Sequence, residues 1–234
     1  MWLFPLLAAI VAFAFAAALG RQFFDRRRPY QLVWMLALAM FGLASLAVVA
    51  GVASGWSRFT YELYWAFGAV LNVPFLAAGE VVLLFRRPAV LWVVGPVLIF
   101  VTAYTLAVLQ GADVVASALG EQLPSGKDVF GDGTAAHRLP QLISIPSYAV
   151  LIAGTAWSAW RMRGRPDLRD RFTGTVLIAI GATVVAGGAS FSAAGELVGF
   201  IATLIVGIAV MFGGFLRSAR VRTAVPAVQP EPAT

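Results

Sequence analysis

Apolar runs of about twenty residues, broken at short intervals by arginine-rich or glycine-rich segments, recur along the whole chain and predict a series of membrane-crossing helices. Seven runs qualify. At about 1.5 Å of rise per residue and about 30 Å of hydrocarbon, the spans are expected over residues 2–19, 31–52, 60–85, 89–110, 139–160, 172–190 and 194–216. The expected fold is therefore an all-α, polytopic seven-transmembrane-helix bundle over residues 1–217, with an outer loop at 111–138. The basic and then Pro- and Ala-rich stretch 218–234 reads as a disordered cytoplasmic tail.

Within this pattern the third run, TYELYWAFGAVLNVPFLAAGEVVLLF, is the exception, because it carries Tyr61, Glu62, Tyr64, Asn72, Pro74 and Glu80 through an otherwise apolar span. At about 100° per residue most of its polar and small residues share one stripe. Glu62 and Glu80 lie about 27 Å apart on an ideal helix, near opposite ends, with Asn72 between them. Lipid cannot solvate such groups, so this helix is expected at the centre of the bundle. Pro74 removes one backbone donor and leaves the Val70 carbonyl free beside Asn72, the makings of a polar pocket. The fifth run repeats the design in milder form, with Gln141, Ser144, Tyr148 and Thr155 on one face. The first run has no ionisable group and is expected at the lipid-facing periphery. No basic residue precedes it, so it reads as a retained helix and not as a cleaved signal.

Charge then orients the bundle. Fourteen arginines fall on one side of the seven-span topology, whereas Arg58, Lys127 and Arg138 fall on the other. Positive charge is retained inside, so the N-terminus is expected outside, the C-terminus in the cytoplasm and the acidic loop facing out, in a bacterial inner (plasma) membrane. The same topology accounts for the net charge of +6 without nucleic acid.

Composition narrows the chemistry further. The chain is 60% hydrophobic and 12% charged, with no cysteine and a single histidine, His137. Disulfides, thiolate chemistry and sites built from several histidines are ruled out, and no cofactor or metal is expected. The layout is similar to that of microbial rhodopsins, which need a lysine in the last helix; the one lysine here, Lys127, lies in the loop. Leu139-Pro140-Gln141-Leu142 resembles one copy of the PQ-loop motif of seven-helix carriers, and no second copy occurs. Intramembrane hydrolases of the ceramidase-like and rhomboid types rely on histidines that the spans lack, so the chain is not expected to be an enzyme.

Candidate site residues are Glu62, Asn72, Glu80, Tyr148, Glu196 and His137. Glu80 is expected to reach an arginine, Arg86 or Arg87, at the cytoplasmic interface, and Glu62 to reach Arg58 one turn earlier. Glu62, Glu196 and His137 are expected to converge at an outer mouth beneath the loop, whose Asp128 and Asp132 read as solvated. Gly195 and Gly199 form a GxxxG pair, and Ala182, Ala186 and Ser190 a matching small-residue row, which should pack the last two helices tightly. Two functions fit: a polar interior that binds or conducts a small solute or protons, or a sensor or accessory subunit with an outer ligand and a protein partner on its basic cytoplasmic loops.

Overall fold

A computed structural model describes residues 2–85, 87–164, 169–193 and 196–220. Among these the regular structure is entirely helical. Six helices are long and apolar enough to cross a membrane: α1 (Leu3–Arg26), α2 (Pro29–Ser54), α3 (Arg58–Leu84), α4 (Pro88–Gln110), α5 (Ala135–Met162) and part of α7 (Leu197–Arg220). Helix α6 (Arg169–Ala193) is also long, but its apolar stretch, Phe172–Gly188, is shorter than the other six. This is the architecture of a membrane-embedded helical protein.

Local sequence sets the boundaries. Pro29 and Pro88 occupy the first turns of α2 and α4, where a missing N–H costs nothing. Between α2 and α3, Ser57 and Thr60 form a reciprocal cap: the Ser57 hydroxyl accepts from the Thr60 N–H (3.1 Å) and the Thr60 hydroxyl from the Ser57 N–H (2.9 Å). Helix α1 runs to Arg26, a turn and more beyond the expected span. Helix α7 continues to Arg220, past the expected start of the tail, and the remainder of that tail lies outside the described residues.

Consecutive pairing of α1, α2, α3, α5, α6 and α7, closed by contact between α7 and α1, arranges six helices in a ring, with α4 resting against α3 from outside. The burial order follows. Of the apolar window of α3, 56% is buried, against 6% for α4. Helix α1 is 39% buried between α2 and α7; its alanine-rich face (Ala8, Ala9, Ala12, Ala16) allows that close approach, and Gln22 near its end accepts from the Gln31 amide of α2 at 3.2 Å. The helix most open to lipid is α4, with Trp92 and Ile99 largely exposed, while α1 also turns Leu3, Leu7 and Ile10 outward, as expected of a peripheral helix.

Helices α6 and α7 form the expected tight hairpin, and glycines make its closest backbone approach. A Cβ added at Gly181 would stand 2.5 Å from the Gly207 carbonyl oxygen, and one at Gly207 2.7 Å from that of Gly181, so only glycine admits this backbone approach. Gly195 lies outside the described residues, and Gly199 packs against Phe191 within the hairpin.

One end of the bundle carries the loop 111–134, and the other carries most of the arginines. At the loop end the connector is folded, not merely solvated. It contains a 3₁₀ turn, Ala116–Gly120, and a short helix, Gly126–Phe130, and it buries Leu123, Pro124, Val129 and Phe130. With Trp56, Tyr61, Tyr64 and Trp65 these residues form the main core of the molecule.

Candidate functional site

Helix α3 changes its winding in mid-span. Residues Trp65–Leu71 adopt π geometry, and the facing segment of α5, Pro140–Ser144, does the same. Such segments are rare and concentrate at functional sites. Each is coupled to a proline. Pro74 has no N–H for the Val70 carbonyl in an α ladder or for the Ala69 carbonyl in a π ladder. The Ser144 hydroxyl of α5 lies 2.7 Å from the Ala69 oxygen and 2.9 Å from that of Val70, and so serves the two acceptors the proline orphans. The exchange is mutual. Pro140 leaves the Ala136 carbonyl without its α-ladder donor, and the Trp65 indole N–H of α3 donates to it at 3.0 Å. The carbonyl expected to stay free beside Asn72 is therefore engaged, and the two kinked helices are latched through their own defects.

Below this latch, towards the arginine end, Glu80 is buried at 6% exposure in the α3–α5 contact. Its carboxylate accepts from the Ser158 hydroxyl at 3.2 Å, and its stem lies against Gly154, where a Cβ would approach to 2.8 Å of the Glu80 Cγ. The expected arginine partner is not observed among the described residues. Arg87 is exposed, and Arg86 lies outside them. The reason is directional: Glu80 points sideways into α5, where Gly154 leaves room, and does not run along its own helix to the interface. Asn72, about 12 Å from Glu80 along the axis, is buried at 7% exposure, and no hydrogen bond to its amide is found among the described residues. The Tyr148 hydroxyl donates to that of Thr183 at 2.8 Å, tying α5 to α6.

Above the latch, α3 meets the loop through its aromatic side chains. The Trp56 indole donates to the Gln122 carbonyl (3.0 Å), the Tyr61 hydroxyl to that of Pro124 (3.3 Å), and Arg58 Nη2 to that of Ala112 (3.2 Å). Ring contacts knit the same residues: Tyr61 to Phe130 at 5.5 Å, Trp65 to Phe130 at 5.6 Å, and Tyr64 to Phe200 of α7 at 6.3 Å. Trp56 and Tyr61 each have an apolar body for the core and one donor for a loop carbonyl. The loop is a cap.

The three residues expected at an outer mouth each have local partners. Glu62 pairs with Arg58 at 2.7 Å, as its spacing suggested. His137 Nδ1 accepts from the Gly133 N–H at 3.2 Å and stands 3.4 Å from Asp132, inside the turn that starts α5. Glu196 is exposed between α6 and α7, its backbone N–H on the Phe191 carbonyl and its own carbonyl accepting from Phe200. No hydrogen bond or ion pair joins the three among the described residues. The residues that do build the site, Ser144, Ser158, Gly154, Trp65 and Pro140, are small or aromatic and inconspicuous in a membrane helix. Their one sequence signal is a proline in each of two polar-striped spans.

These features define a helical membrane protein with a buried carboxyl and a capped end. The chain matches no protein-family model, no curated protein and no solved structure.

Proposed function

We propose that the protein is a seven-span bacterial inner-membrane protein whose polar interior binds or conducts a small solute or protons, with the arginine end in the cytoplasm and the N-terminus outside. The observation that carries this reading is the seating of Glu80 between α3 and α5, held by Ser158 and out of reach of lipid. An acid at that depth is costly to keep and is typical of ion and proton paths. Asn72 gives the same helix a second polar position near its middle, and the π segments supply backbone that can re-register when α5 moves. With the cap closed, passage requires the loop to release Trp56, Tyr61 and Trp65. Glu62, His137 and Glu196 then stand at the mouth and not in the conduit.

The test is flux in proteoliposomes under an imposed proton gradient, read by a trapped pH dye, for wild type, Glu62→Gln and Glu80→Gln. Wild type should exceed empty liposomes, and Glu80→Gln should lose about tenfold of that rate, equivalent to about 1.4 kcal/mol. Glu62→Gln should lose less, because its partner is an exposed arginine. Background flux in all three would sink the conduction reading for protons. A second reading, a sensor or accessory subunit with a ligand outside and a partner on the basic loops, is favoured by one observation: the cap is packed as firmly as a protein interior and rests directly on the central helix.

A further inference from the structure

Beside the cap lies a cleft that the interior site does not use. It lies at the loop end, between the last turn of α2 and the 3₁₀ turn Ala116–Gly120, with a volume of about 550 Å³. That falls in the range of small-molecule sites. Val52, Trp56 and Leu119 give it apolar walls, and Glu121 and Gln122 its polar edge. Trp56 is fixed in place, its indole N–H on the Gln122 carbonyl and its ring edge-on to Tyr61 at 5.6 Å, so this wall is preformed.

The electrostatics of the cleft have one sign. Helix α2 ends here with no basic side chain in its last turn. The Gly51 carbonyl is capped by the Gly55 N–H, but those of Val52, Ala53 and Ser54 receive no donor among the described residues. The end of a helix carries about half a negative elementary charge on such carbonyls. Glu121 adds a full negative charge, exposed and with no ion pair or hydrogen bond through its side chain among the described residues. Of the two cations close by in sequence, Arg58 is already committed to Glu62 and to the Ala112 carbonyl, and Lys127, exposed in the same loop, does not line the cleft. An open cleft of mixed lining, with a fixed Trp56 wall and a negative edge, favours a ligand that is cationic at one end and apolar at the other.

We propose that the cleft between the end of α2 and the loop turn binds a small organic cation, an ammonium group carrying an apolar body. The site is independent of whether any solute crosses the bundle. A free cation and the amine headgroup of a lipid share this chemistry.

Equilibrium dialysis of the full chain in a non-ionic detergent at low ionic strength tests it, with choline as the cationic probe and 3,3-dimethylbutan-1-ol as its uncharged counterpart of the same shape. Choline should bind saturably, and the neutral alcohol about tenfold or more weaker, the worth of about 1.4 kcal/mol. Glu121→Gln should weaken choline severalfold. Val52→Lys should abolish binding, because it tethers a competing ammonium at the end of α2, where a cation stabilises the helix. Asp113→Asn, an exposed loop acid that does not line the cleft, should bind as wild type does. Equal binding of the two probes, unchanged affinity in Glu121→Gln or Val52→Lys, or no saturable choline binding would each overturn the proposal. Repeating the titration in phosphatidylglycerol nanodiscs, with and without phosphatidylethanolamine, separates the two sources. Competition by the amine lipid identifies a headgroup, and indifference to it a free cation.

Discussion

The two halves of α3 bury similar lengths of helix by opposite means. Towards the loop end, Tyr61, Trp65, Val70 and Leu71 are packed on every side, and the donors that would have been stranded there reach carbonyls of the cap and of α5. Towards the arginine end, α3 is joined to α5 through a glycine, a serine and a carboxylate, while the flank of α4 facing lipid lies open. The first half is held by large rings with fixed partners, and each ring pair adds about 0.5–1.5 kcal/mol beyond its buried area. The second is held to α2 by the Trp34 ring, which lies over Gly79 and donates to the Leu76 carbonyl at 3.0 Å, but to α5 only by small groups. The molecule therefore keeps its adjustable seam at the end where the buried acid sits.

The contrast is broken most directly by removing the ring common to both faces of the cap. Trp65→Ala deletes a buried indole against Tyr61 and Phe130 and strands the Ala136 carbonyl that Pro140 had already deprived of its helix donor. The expected loss is about 3–5 kcal/mol. It should appear as a lower melting temperature in detergent and as protease cleavage within residues 111–134. Trp157→Ala, a substitution of the same size at a position more than half exposed, should change neither. Similar effects of the two would mean that the cap is not a structural half of the protein.

The matching substitution in the other half is Gly154→Val. The new Cβ meets the Glu80 stem at 2.8 Å and the Leu84 side chain at 3.1 Å, and both are flexible groups. Leu142, Ile145, Val150 and Trp157 of α5 are about half exposed or more, so α5 has room to shift away from α3. Overpacking in a fixed core costs about 1–3 kcal/mol, and the low end of that range is expected here. The same variant should reduce proton flux, because it displaces Glu80 from Ser158. A melting temperature as low as that of Trp65→Ala would show the seam to be as rigid as the cap.

Much of this division is legible in the residues, and its limits are physical. Periodicity and charge locate the long helices, and the polar stripe of α3 identifies the most buried one, because burying Asn72 and Glu80 is a requirement that composition alone reveals. Pro74 signals a carbonyl in need of a donor, but not that Ser144, more than seventy positions on, supplies it. The direction of Glu80 is hidden for the same reason. Reaching an arginine about two turns on and reaching Ser158 across the helix pair are both open to a residue at this position, and the choice is made by Gly154 on another helix. The loop misleads because its composition is that of a solvated connector, while the residues that bury it, Trp56, Tyr61 and Trp65, belong to the edge of a span where aromatic side chains are ordinary.

The smallest expected effect on stability sits between the halves and is the most informative about function. Asn72 is more than nine-tenths buried with no hydrogen-bond partner among the described residues. Its amide atoms keep some accessible surface, so leaving them unpaired costs less than the about 1–3 kcal/mol of a fully enclosed group. Replacing it by an apolar side chain of similar volume removes a cost and no contact. Asn72→Leu should therefore leave the melting temperature unchanged or raise it slightly, the reverse of what a packing amide that bridges two helices would give. If the amide is kept for a solute or a proton-carrying water, the same variant should lose proton flux while keeping its fold. Because the chain has no cysteine, Asn72→Cys also provides a single reporter. Labelling of that thiol by a small water-borne reagent should rise when the cap is opened by Trp65→Ala. A variant that is clearly less stable, with flux unchanged, would make Asn72 a strut between helices and remove the polar interior of α3 from the functional account.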